Sequence, residues 1–186
     1  MSTRGPVVIV GPPGSGKSTV GPLLAERLGV GYRDADADLE AEEGRTISDI
    51  FATDGEPVFR ALEERNIEKT LREHTGVYSL GGGAVLSEAT RARLRGHTVV
   101  FLNVGMAEGV RRTGLSTARP LLAGVNPRAT YKALLDARLP VYREVATLEI
   151  GTDDRSPAEV VAEIVERLRA EPVRESPGSV PESCVE

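Results

Sequence analysis

Residues 7–18 read Val7-Val8-Ile9-Val10-Gly11-Pro12-Pro13-Gly14-Ser15-Gly16-Lys17-Ser18, and the fold is decided there. Four β-branched residues in a row suit a strand covered on both faces in a parallel sheet, where neither side has to be polar. Gly11 to Gly16 cannot continue regular structure, and an amphipathic helical segment runs from about Lys17 to Leu28. The pattern G-x-x-x-x-G-K-[ST] is met in full, between a strand and a helix as its geometry requires. Glycines let the backbone curl so that several N–H groups aim at one phosphate, and the helix N-terminus adds positive potential there. The expected nucleotide contacts are Gly14, Ser15, Gly16, Lys17, Ser18 and Thr19, with Lys17 reaching the β- and γ-phosphates and Ser18 coordinating Mg²⁺. A Gly/Pro-rich turn that merely contains Lys-Ser is the competing account, and the full match in context counts against it. The loop alone does not separate kinases from other nucleotide hydrolases.

Outward from this loop, strand-like and helix-like segments alternate. Strands are expected near 31–34, 77–80, 98–102 and 147–150, and helices near 37–43, 47–53, 57–74, 87–94 and 106–113. A further helix should follow residue 126 and run to about Leu139. Ser156-Pro157-Ala158-Glu159 supplies an N-cap, a proline at the first helical position and a glutamate at the third for the last helix. The alternation implies an α/β fold with a mostly parallel sheet. The 186 residues amount to one domain, 1–171, and the proline-rich, aperiodic segment 172–186 reads as a disordered tail. A net charge of −5 argues against a broad nucleic-acid-binding face. Cys184 is the only cysteine, which excludes an internal disulfide or a cysteine-based zinc site. No apolar run suits a signal peptide or a membrane span, so a cytoplasmic protein with no membrane partner is expected; a monomer is expected as well.

Four further features carry chemistry. Asp34-Ala35-Asp36-Ala37-Asp38 follows the second strand, where open α/β sheets bind ligands. In an extended segment Asp34 and Asp36 would face the same way, one serving Mg²⁺ through water and the other accepting a hydroxyl proton. A solvated acidic turn or a helix N-cap explains the same residues, and Asp38 suits the helix. Arg60 lies on the helical line of Ile67 and Leu71, and Arg138 on that of Tyr131, Leu134 and Tyr142. An inward guanidinium needs an anion, and its fork fits a carboxylate, although either head could instead reach water at the stripe's edge. Gly81-Gly82-Gly83 after a strand permits close approach of a ligand to backbone N–H groups, or is simply a tight turn. Residues 113–126 combine glycine, Arg119 and Pro120, as a lid or a surface connection would. His74 and His97 have no metal-ligand spacing and read as structural.

Together these stretches resemble the shikimate kinases from about Val7 through the last helix. The carriers are G-P-P-G-S-G-K-S-T from Gly11, D-A-D from Asp34, Phe59-Arg60, L-G-G-G-A-V from Leu80, R-R-T-G from Arg111, R-P-L-L from Arg119, and Arg138. The resemblance implies a P-loop NTPase fold of nucleoside-monophosphate-kinase type, a five-stranded parallel sheet flanked by helices. It adds a substrate-binding part at about 35–75 and a lid at about 113–126. It also implies ATP- and Mg²⁺-dependent phosphorylation of the shikimate 3-hydroxyl. By this resemblance Asp36, Arg60, Gly81, Gly82, Gly83 and Arg138 contact shikimate, and Lys17, Asp36 and Arg119 are catalytic. Arg112, Arg119 and Arg155 border ATP, and Ser18 and (through water) Asp34 serve the metal. Tyr32-Arg33 departs from the family's aliphatic residues there, so Arg33 is expected at an edge. The alternatives are gluconate kinase or another small hydroxy-acid kinase and, from another class, a GTPase-like or non-catalytic nucleotide binder. The N-K-x-D stretch of guanine recognition is absent, since Asn103 is followed by Val104 and Gly105.

Overall fold

The computed structural model describes residues 5–113 and 126–170, so Arg119 with most of the expected lid, and the expected tail with Cys184, lie outside the described residues. Strand β1 (Val7–Val10) runs into the glycine loop and helix α1 (Lys17–Leu28) leaves it. There follow β2 (Tyr32–Asp34), α2 (Ala35–Glu43), α3 (Ile47–Thr53), α4 (Glu56–Glu73) and β3 (Val77–Ser79). A single 3₁₀ turn at Ala84–Leu86 precedes α5 (Glu88–Leu94), β4 (Val99–Asn103) and α6 (Met106–Thr113). The described chain closes with α7 (Pro127–Val145), β5 (Leu148–Gly151) and α8 (Pro157–Ala170).

The strands form one parallel sheet in the order β2-β3-β1-β4-β5. Alternate residues of β1 feed two cores. Val7 and Ile9 pack with Val20 and Leu24 of α1 and Val161 and Ile164 of α8. Val8 and Val10 pack on the other face with Ile67 and Leu71 of α4 and Tyr142 of α7. A separate small cluster of Leu39, Ile50 and Phe59 joins α2, α3 and α4. The chain leaves β1 for one side of the sheet and reaches β4 on the other. The crevice beyond the ends of β1 and β3 is therefore a topological switch point, the usual ligand position in such sheets.

Two boundaries differ from expectation for identifiable reasons. Helix α2 starts at Ala35 because Asp34 caps it, accepting the N–H groups of Asp36 and Ala37 at 3.0 Å each. Asp34 and Asp36 are thus not neighbours in an extended strand. Helix α7 runs six residues past Leu139, through Pro140, because Tyr142 and Val145 beyond the proline pack on the core. That burial outweighs a proline cost of about 3 kcal/mol. Edge strand β2 is only partly covered, and Arg33 turns to Asp38 at 2.8 Å, as its departure from an aliphatic pattern suggested. His74 is structural, its Nε2 lying 3.1 Å from the Val77 carbonyl.

Candidate active site

The phosphate loop is built as its residues require. Gly14 and Gly16 hold φ at 80° and 94°, conformations that side chains resist, and Gly16 caps α1. Lys17 Nζ donates to the carbonyls of Gly11 and Pro12 at 2.7 and 3.1 Å, so its ammonium lies against the loop. Ser15 is buried, with no hydrogen-bond partner for its hydroxyl, while Ser18 and Thr19 are partly or largely exposed at the helix start.

Beside the loop opens a cleft of about 380 Å³ lined by Ser15, Gly16, Thr19, Arg112, Thr152 and Arg155, among others. Arg112 joins its walls, donating to the Gly14 carbonyl (3.1 Å), the Thr152 carbonyl (3.1 Å) and Glu108 Oε1 (2.7 Å). With its edge donors so occupied, the flat face of the guanidinium is the part that can meet a nucleotide base. Arg155 pairs with Glu163 at 2.5 Å.

The other sequence-derived residues converge on the glycine turn. The Leu80 N–H donates to the Ile9 carbonyl at 3.0 Å, which sets the turn beside the phosphate loop. A side chain there has no room. A methyl group on Gly81 would lie 2.8 Å from Asp36 Oδ1, and one on Gly83 2.5 Å from Arg60 Nη2. On Gly82 it would meet Pro13 Cδ at 3.3 Å and Arg138 Nη1 at 3.4 Å. Sequence reasoning allowed a plain turn; the structure packs Asp36, Arg60 and Arg138 against it. Arg138 is buried, at 7% exposure, whereas Arg60 is partly open.

Sequence reasoning missed Glu63. It is 4% exposed, accepts from Arg60 Nη1 at 2.7 Å, and lies against Gly81. Burial pushes its carboxyl up to about 6 despite the attraction of Arg60. The available signal was a glutamate three residues after Arg60 on the same helical face. Asp36 is also raised, by burial first and then by the Asp34 carboxylate, against the pull of Lys17 and Arg60.

The assembly can hold a polyphosphate at one end and grip an acid with two guanidinium forks at the other, with a raised carboxylate between. The comparisons agree with that chemistry. A family model described as shikimate kinase matches residues 13–169. A shikimate kinase of Saccharopolyspora erythraea is 67% identical over 164 residues, 88% of this chain and 94% of that protein. One of Streptomyces avermitilis is 56% identical over 162 residues, covering 87% and 94%. The solved structure of Acinetobacter baumannii shikimate kinase in complex with shikimate superposes with a TM-score of 0.87 at 34% identity, covering 91% of this chain and 95% of that one. With its fold and nearly its whole described length in common with these proteins, the chain belongs to the shikimate kinase family.

Proposed function

We propose that this protein transfers the γ-phosphoryl group of ATP to the 3-hydroxyl of shikimate, giving shikimate 3-phosphate and ADP. One observation carries the reading: Asp36, Arg60 and Arg138 converge on Gly81–Gly83 directly beside the phosphate loop. Arg138 and Arg60 grip the carboxylate, and backbone N–H groups of the glycine turn border the ring. Asp36 orients the hydroxyl and takes its proton, a task suited by a carboxyl raised above its ordinary value. A bond forms from the acceptor oxygen to phosphorus as the bond to the ADP oxygen breaks. Lys17 and Arg119, the latter outside the described residues, offset charge on the phosphoryl oxygens. The cleft with Arg112 and Arg155 takes the base.

Ser18, and Asp34 through water, would hold Mg²⁺, which would supply positive charge to offset that of the phosphates. The donor set fits: the exposed Ser18 hydroxyl at the start of α1 and the Asp34 carboxylate are hard oxygen donors of the kind Mg²⁺ takes alongside phosphate and water. The same reading makes residues 35–75 the substrate-binding part, supported by their own small core, and 113–126 the lid. It describes a monomeric, cytoplasmic enzyme with no nucleic-acid or membrane partner. Coupled ADP release with shikimate and with gluconate tests the proposal. Turnover is expected with shikimate, and fast turnover of gluconate alone would overturn it.

The Glu63–Arg60 pair adds a pH signature. Below about 6 Glu63 takes up a proton and the pair loses its charge attraction, so Arg60 is held less firmly. We expect KM for shikimate to rise as pH drops through that value while KM for ATP stays flat, and Glu63→Gln to flatten the shikimate KM profile. For stability the sign is opposite. The folded carboxyl sits above its ordinary 4.5, so folding takes up a proton between the two values, and this contribution is lost as pH rises through that window. A wild-type shikimate profile that stays flat through pH 6 would contradict the assignment.

A further inference from the structure

Helix α7 carries Tyr131, Arg138 and Tyr142 at intervals of seven and four residues, which puts all three on one face over about 16 Å. All three are buried, at 1%, 7% and 0% exposure. Tyr131 packs so closely on Gly109 of α6 that any side chain there would overlap its ring, and Tyr142 stacks on Phe101 with ring centres 5.1 Å apart. Phenylalanine would satisfy that packing at either place. Instead each hydroxyl donates to the backbone carbonyl of a different ligand loop: Tyr131 to Pro13 at 2.8 Å and Tyr142 to Gly82 at 2.5 Å.

A peptide unit is planar and trans, so its carbonyl and the following N–H point in opposite directions. A hydroxyl that draws the Pro13 carbonyl toward α7 therefore turns the Gly14 N–H away from the helix, and one that draws the Gly82 carbonyl does the same for the Gly83 N–H. Gly14 lies in the phosphate loop, and Gly83 lies against the Arg60 guanidinium. We propose that Tyr131 and Tyr142 are positioning residues that aim these two N–H groups at the phosphate and at the acid substrate. With them α7 braces both loops on either side of Arg138. The proposal rests on the shikimate kinase reading for the acid end only, since the nucleotide end is independent of which acid is bound.

The test compares Tyr131→Phe, Tyr142→Phe and Phe101→Leu in the full chain, by MgADP titration and by KM for each substrate. Tyr131→Phe should weaken MgADP binding about tenfold with shikimate KM unchanged, and Tyr142→Phe should raise shikimate KM about tenfold with ATP KM unchanged. Phe101→Leu removes the stacked ring but keeps the hydroxyl, so it should lower the thermal midpoint and leave both KM values within about twofold. Folded tyrosine variants that shift both substrates equally, or neither, overturn the proposal. So does Phe101→Leu if it raises shikimate KM as much as Tyr142→Phe does. Should Tyr142→Phe fail to fold, unaltered MgADP binding by Tyr131→Phe is decisive against it. Absence of shikimate turnover in the wild type would refute the function and leave that nucleotide arm to decide the tether.

Discussion

Asp36→Asn should lower kcat by about 10²–10⁴ while shikimate and MgATP still bind. The substitution keeps the size of the side chain and one oxygen that can accept a hydrogen bond from the substrate hydroxyl. It removes the capacity to take the proton. Asp36 stands in the first turn of α2, where the N–H of its own residue is held by the Asp34 cap, so its backbone is fixed whichever side chain it carries. Its carboxyl is raised by burial and by Asp34, and held from rising further by Lys17 and Arg60. That environment makes it a better proton acceptor than a solvated aspartate. If Asp36 only aligned the hydroxyl, asparagine would serve almost as well. Steady-state kinetics with both substrates saturating separates the two roles: a kcat reduced less than about tenfold would remove the proton-accepting role and leave alignment.

How much of this was legible in the sequence differs from residue to residue. The strand at Val7–Val10 and the loop after it could be read outright, because burial on both faces and phosphate cradling each demand a local residue pattern. The capping box at Ser156 was equally local, and Glu159 does return to Ser156 N at 2.7 Å. Asp34 and Asp36 were identified as a pair, but alternation along a strand was the wrong geometry. The first aspartate is an N-cap and the second is helical, and cap and strand end look alike in sequence. The far end of α7 was placed too early for another reason. The cost of Pro140 is local, whereas the packing of Tyr142 and Val145 that overcomes it depends on strands far along the chain. The same distance hid the carbonyl partners of Tyr142 and Tyr131, which lie 60 and 118 residues away. The face shared by Arg138 and these tyrosines was readable from spacing; what the face touches was not.

Arg138→Ala should raise shikimate KM or Kd by a factor corresponding to about 2–5 kcal/mol, the larger effect of the two arginines, with MgATP binding nearly unchanged. Burial decides the ranking. Arg138 is 7% exposed and its guanidinium lies against Gly82, so a carboxylate meeting it is largely removed from water and from screening salt. Arg60 is more open, held in place by Glu63 and Glu56 at 2.7 and 3.3 Å, so water and salt screen more of its attraction for an incoming acid. Removing Arg138 thus leaves the substrate's carboxylate in a poorly solvated place with a weakened counter-charge. Lysine should restore little, because a single ammonium cannot make the two parallel hydrogen bonds of the fork. Calorimetric titration of shikimate into the Arg138→Ala, Arg138→Lys and Arg60→Ala proteins measures all three. Equal losses for Arg60→Ala and Arg138→Ala would show that burial does not set their weights, and normal shikimate affinity in Arg138→Ala would remove this arginine from the acid site altogether.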